Sequence, residues 1–175
     1  MSETFGPDPI PAGRYRPADA AISLNFGAAL RAILPAAFQS AVIGSILSAV
    51  LAIILWPADI GAVLWETGPA GAVMLACGWF FAGTMAGTLF AAFYIATLGL
   101  PLALAMRQHI ASRGALAVAI IISGAAGVIA IRYLDIADAG GANWYYYAFG
   151  LAYAIPAGIA YRREVLMERF LSSFP

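Results

Sequence analysis

The chain has no lysine, one histidine, one cysteine and little charge of either sign: nine arginines face nine carboxylates, and charged residues make up 10% of its 175 positions. Each scarcity excludes something. Nucleic acid is held by a concentrated basic face, and a sparse, balanced charge offers none, so it is not an expected partner. The single cysteine, Cys77, cannot close an internal disulfide. It lies in an apolar run and reads as a small buried hydrophobe. The single histidine, His109, cannot supply two haem ligands and has no cysteine or carboxylate cluster beside it for a metal. It reads as a loop residue in water, and no cofactor or metal is expected.

Catalytic patterns are missing as well. There is no CxxC, HExxH, GxSxG or phosphate-cradling loop. No Asp, Glu, Lys, Arg or His occupies the middle of an apolar run, which removes the intramembrane acid or base that usually marks a proton-coupled transporter. Ser123 and the serines at 40, 45 and 48 have no general base in sequence reach. A non-enzymatic protein is the expectation.

What the chain does have is apolar length. At 63% hydrophobic residues and a mean hydropathy of +0.87, its composition is that of an integral membrane protein. Such a core is built from helices packed inside lipid. Arginine as the only strong base, with much alanine and glycine, points to a GC-rich bacterial genome and so to the cytoplasmic (inner) membrane. The first 17 residues, MSETFGPDPIPAGRYRP, lack a cleavable secretory pattern. Their prolines and glycines predict a disordered cytoplasmic tail before a single membrane domain over 18–175.

Three segments, about 33–56, 114–133 and 144–161, the second uncharged only as far as Ile131, each approach the roughly 20 residues that cross a bilayer. A fourth run starts at Pro69 and meets no charge until Arg107. As one straight helix it would measure about 55 Å, nearly twice the need. Arginine placement decides whether it is one crossing or two, because basic residues near span ends stay cytoplasmic. With four spans and the N-terminus inside, Arg14, Arg16, Arg31, Arg107, Arg113, Arg162, Arg163 and Arg169 all lie inside, leaving only Arg132 outside. Five spans would put four inside and five outside. The expected fold is therefore an all-α, compact four-transmembrane-helix bundle with both termini cytoplasmic. Asp59 and Glu66 fall in its first outer loop, and Trp56, Trp65, Tyr133 and Trp144–Tyr146 form an outer aromatic belt.

The second span then covers 69–95, with an extension to 106 bent near Gly99 and Pro101, since Pro101 cannot donate to the Thr97 carbonyl. These two residues are the candidate kink or hinge. Interfacial amphipathic helices are expected before the first span, over 18–31 with Ile22, Phe26 and Leu30 on one side, and after the last, over 162–175 with Leu166, Phe170 and Phe174.

Helix contacts inside lipid need small residues. Such stripes run through Ala37, Ala41, Gly44, Ser48 and Ala52, through Gly83, Gly87 and Ala91, through Ala119, Ser123 and Gly127, and through Gly150, Ala154 and Gly158. Two polar groupings stand out. Gln39, Ser45, Ser48, Thr84 and Thr88 are a candidate polar lining for a solute path. Arg132, Asp135, Asp138, Asn143 and Trp144 are a candidate contact site on the outer face. The leading expectation is an accessory or scaffold subunit whose partners are the lipid bilayer and either another membrane protein or a second copy of itself. The alternative is a small homo-oligomeric transporter or channel for a neutral or amphipathic solute, with its gate at Pro101.

Overall fold

The computed structural model describes residues 26–106, 109–133 and 144–171, and every element among them is helical. In order these are α1 (Phe26–Arg31), α2 (Ile33–Leu55), α3 (Pro57–Tyr94), a π-helical turn (Ile95–Gly99), α4 (Leu100–Met106), α5 (Arg113–Tyr133) and α6 (Trp144–Leu171). Three stretches, Phe26–Leu55, Pro57–Met106 and Arg113–Tyr133, are long and apolar enough to cross a membrane. The segment expected to be a fourth crossing is helical over 28 residues, but its five tyrosines lower its hydropathy and it is not among the three. The tails at 1–25 and 172–175 lie outside the described residues, and with them 18–25 of the first expected amphipathic helix, whereas 162–171 of the second is described and continues α6.

α1 runs into α2 through Ala32, which keeps right-handed helical dihedrals and donates to the Ala28 carbonyl at 3.1 Å. α2 stops at Trp56, whose extended φ of −129° is followed by Pro57 at the first position of α3. Proline suits that position because its missing N–H would have had no partner there.

The first outer loop expected around Asp59 and Glu66 is not a loop. Residues 57–67 are helical, and the break comes at Gly68, with φ 66° and ψ −178°. Glycine is the residue that takes this backbone without strain, and Pro69 restarts the helix directly after it. Charge had suggested a loop, yet charge does not break a helix. Asp59 and Glu66 stand seven residues apart on one side, while Ile60, Val63 and Leu64 occupy another, the pattern of a surface-lying turn or three.

The bend expected at Gly99 and Pro101 takes the form of the π turn. Leu100 donates its N–H to the Ile95 carbonyl, five residues back. The extra residue in that turn accommodates the hydrogen bond that Pro101 cannot make. α4 then leans onto α1.

The helices do not close into the compact bundle expected. α2 and α6 are central, α3 packs on α2, α5 packs on α6, and α3 and α5 share no extended contact. The order across the molecule is α3, α2, α6, α5. Its apolar core sits at the end that carries Arg31, Arg113 and Arg162, hereafter the arginine end. There the fully buried Ile95 and Val165 and the nearly buried Tyr161 are wrapped by alanines of α1, α2, α4 and α6. The opposite end, with Trp56, Trp65 and Trp144, is the tryptophan end.

Candidate functional site

The candidate polar lining divides between two places. In the middle of the molecule Tyr153 of α6 lies in a slot whose walls are the bare Cα positions of Gly44, Gly83 and Gly87. A Cβ at 83 would stand 2.8 Å from the phenol oxygen, one at 87 would stand 2.7 Å from Cε1, and one at 44 would overlap the ring. The ring therefore requires glycine at all three. Its hydroxyl is 3.2 Å from Ser45 Oγ and 3.4 Å from Ser48 Oγ. Ser45 Oγ is 3.2 Å from Thr84 Oγ1, Trp79 Nε1 donates to Ser48 Oγ at 3.3 Å, and Ser48 donates to the Ser45 carbonyl at 2.9 Å.

This is a knot of hydroxyls from three helices rather than the wall of a channel. No buried side-chain nitrogen or oxygen among the described residues lacks a hydrogen-bond partner. Thr88 takes no part, since its hydroxyl donates back to the Thr84 carbonyl at 2.7 Å, the usual resolution for a threonine in an apolar helix.

Gln39 belongs to the arginine end. Its Nε2 donates to Glu164 Oε1 at 2.7 Å, tying the start of α2 to the last turns of α6. Close by, Tyr161 donates to the Ala29 carbonyl at 3.1 Å, and Arg31 pairs with Glu168 at 3.6 Å. The Arg31 side chain is 69% exposed, so that pair contributes little. Across α6, Arg162 grips the hairpin between α4 and α5. Nε donates to the Ile110 carbonyl at 2.8 Å, and Nη2 donates to those of Ala111 at 2.9 Å and Ser112 at 3.2 Å. Ser112 in turn accepts the Ala115 N–H at 3.1 Å and caps α5. His109 is exposed in this hairpin.

Beside Arg162 an apolar cleft opens between the π turn and α4 on one side and α5 on the other, with α6 as its floor. Ile95, Gly99, Ala103, Ala119, Gly158 and Tyr161 are among its walls, and its enclosed part measures about 30 Å³. Gly99, half of the candidate hinge, faces Tyr161 here: a Cβ would come 3.1 Å from its Cδ1. Pro101 is exposed on the outside of the bend.

The remaining packing glycines serve α5. A Cβ on Gly150 would collide with Ile131, and one on Gly158 would collide with Ser123 and stand 2.9 Å from the Ala119 carbonyl. Ser123 is fully buried and donates to that same carbonyl.

Of the candidate outer-face site, Asp135, Asp138 and Asn143 lie outside the described residues. Arg132 is exposed in the last turn of α5, where its charge suits the helix dipole, and Trp144 is exposed at the start of α6. The aromatics of this end do lock helices together. Trp56 meets Tyr145 edge-on at 5.0 Å and stacks on Phe149 at 5.9 Å, and Tyr145 meets Tyr146 at 4.5 Å.

Sequence reasoning missed Tyr153, Trp79, Arg162 and Glu164. For Tyr153 a signal existed: a phenol in the middle of an apolar span needs a partner for its hydroxyl, and three glycines with a serine pair could have been matched to it. Compared with known proteins, the chain matches no family model, no curated protein and no solved structure.

Proposed function

We propose that this chain is a four-span protein of a bacterial inner membrane, with both termini cytoplasmic, and that it acts without chemistry of its own as an accessory or scaffold subunit of a membrane complex. Eight arginines against one support that orientation under the positive-inside rule. α6 serves as the fourth crossing despite its tyrosines, because three of the five sit in its first turn and the hydroxyls of the other two find protein partners: Tyr153 in the serine knot and Tyr161 at the Ala29 carbonyl. A polar group so satisfied no longer opposes burial in lipid.

The observation that carries the scaffold reading is the closure of the mid-membrane polar groups on one another. A solute path needs hydroxyls that face a shared space. Here Ser45, Ser48 and Thr84 face Tyr153 and each other, Thr88 faces its own backbone, and Gln39 is held by Glu164. Meanwhile one side of α3 presents Phe81, Met85, Leu89 and Phe93, all more than 60% exposed, as a broad apolar face for lipid or a partner helix.

The test is native mass spectrometry of the protein extracted gently from its host membrane, with single-cysteine labelling at 31 and 132 for orientation. A different membrane protein retained at fixed stoichiometry, with position 31 cytoplasmic and 132 outside, is the expected result. A closed homo-oligomer alone, with solute flux in liposomes that Tyr153→Phe or Gln39→Leu alters, would replace this reading with the transport one.

A further inference from the structure

The cleft at the arginine end combines three properties that no packing requirement explains. Small residues, Gly99, Ala103, Ala115 and Ala119, open a groove among the larger Ile95, Leu102, Met106 and Tyr161, and the π turn widens it by adding a residue to one side. It is open laterally, because α5 and the α3–α4 arm share no extended contact, while α6 closes it from behind.

Arg162 is the one charged residue in its lining, and Arg113, not itself a lining residue, stands two positions before the lining Ala115. The Arg162 guanidinium is satisfied by three neutral carbonyls. Arg113, exposed, follows directly on the Ser112 carbonyl that Arg162 holds. Among the described residues neither arginine has a carboxylate at ion-pair distance. The acids of the same helix are turned elsewhere. Glu164 and Glu168, one turn apart, face α1 and α2, where Gln39 and Arg31 take them.

We propose that this cleft binds one anionic phospholipid, with its phosphate at Arg113 and Arg162 and the start of an acyl chain between Ala119 and Gly99. The cavity of about 30 Å³ admits little more than a first methylene, and the rest of the chain runs along the open side of the cleft beside α5. A soluble anion would have no use for the apolar walls. A zwitterionic headgroup would bring its own cation to a rim already cationic. Basic pockets between membrane helices select acidic headgroups on these grounds, each arginine near the surface adding about fivefold to the affinity. The inference rests on the chain being embedded in a membrane and not on its orientation or its partner.

The experiment is native mass spectrometry of the full chain in detergent, titrated with phosphatidylglycerol and with phosphatidylcholine of the same acyl composition, with thermal stability read in parallel. One phosphatidylglycerol should be retained about 25-fold over phosphatidylcholine, the product of two steps of about fivefold. Arg113→Gln, which touches no described packing contact, should lower that preference about fivefold. Ala119→Phe should reduce retention of both lipids, and Leu102→Trp, placed on the rim, should do the same if the larger change in the wall impairs folding. Arg132→Gln at the far end should change nothing. Equal retention of the two lipids, an unaltered preference in Arg113→Gln, or displacement of the lipid by free glycerol phosphate at millimolar concentration would each overturn the proposal.

Discussion

The two halves of α3 make an instructive pair. Over 83–94 the helix buries Thr84, Gly87 and Ala91, one residue per turn, against α2 and α6. Over 73–82 it buries none, although Ala76, Gly78 and Ala82 make that stretch equally rich in small residues. Composition alone does not separate them. What differs is the opposing surface. Gly83 and Gly87 face a residue shaped to occupy the gap they leave, the Tyr153 ring, and the serines of α2 that receive its hydroxyl. Gly78 faces nothing within 4 Å. A small-residue stripe is a vacancy, and it contributes to stability only where another helix supplies what fills it.

The largest expected effect tests that statement directly. Tyr153→Ala should cost about 3–5 kcal/mol, the range for emptying an aromatic site, measured by reversible unfolding in mixed detergent. Tyr153→Phe keeps the ring and should cost roughly 0.6, and at most about 1.7 kcal/mol, as interhelical hydrogen bonds in lipid do. Equal losses in the two variants would shift the credit from shape to the hydroxyl knot and break the comparison as drawn. Next, Arg162→Gln should lose about 1.5–3 kcal/mol, the value of hydrogen bonds to a charged group, and hydrogen exchange at 109–112 should accelerate while exchange at the tryptophan end stays unchanged.

Overpacking sharpens the contrast within α3. Gly87→Leu should destabilise by about 1–3 kcal/mol, whereas Gly78→Leu should stay within about 0.5 kcal/mol of the parent. A modest effect concerns the break before Pro69. Gly68→Ala forces a side chain into a backbone region essentially reserved for glycine, at about 1–3 kcal/mol, but residues 57–67 are almost wholly exposed and can shift. The loss should therefore fall at or below the low end of that range, with local proteolysis near 68 as the readout.

Much of the framework was legible in the chain because it follows from local rules. α2 spans Ile33–Leu55 where an uncharged run covers 33–56, and α5, Arg113–Tyr133, contains the uncharged run 114–131. Pro101 marks the bend because a missing N–H acts within one turn. The helix at 57–67 was misread because acidic residues suggested a loop, when the true punctuation was the glycine–proline pair at 68–69. The sites were harder to read. Tyr153 and Ser45 are 108 residues apart, and Gln39 and Glu164 are 125 apart. No periodicity connects them, and the row-like order of helices that brings them together depends on which stripe finds which filler.

The slot for Tyr153 also sets a timetable. α3 ends at Tyr94 and α6 at Leu171, so α2 and α3 leave the ribosome about 77 residues before α6 is complete, an interval of roughly 4–15 s at ordinary elongation rates of about 5–20 residues per second. Throughout it the first hairpin stands in the membrane with Gly44, Gly83 and Gly87 facing an unfilled groove, and Ser45 bonded across helices to Thr84 alone. The nascent protein thus spends its first seconds as a receptor for a helix not yet made, and a ribosome that stalls before residue 153 leaves that receptor open to the lipid and to any neighbouring helix that carries an aromatic side chain.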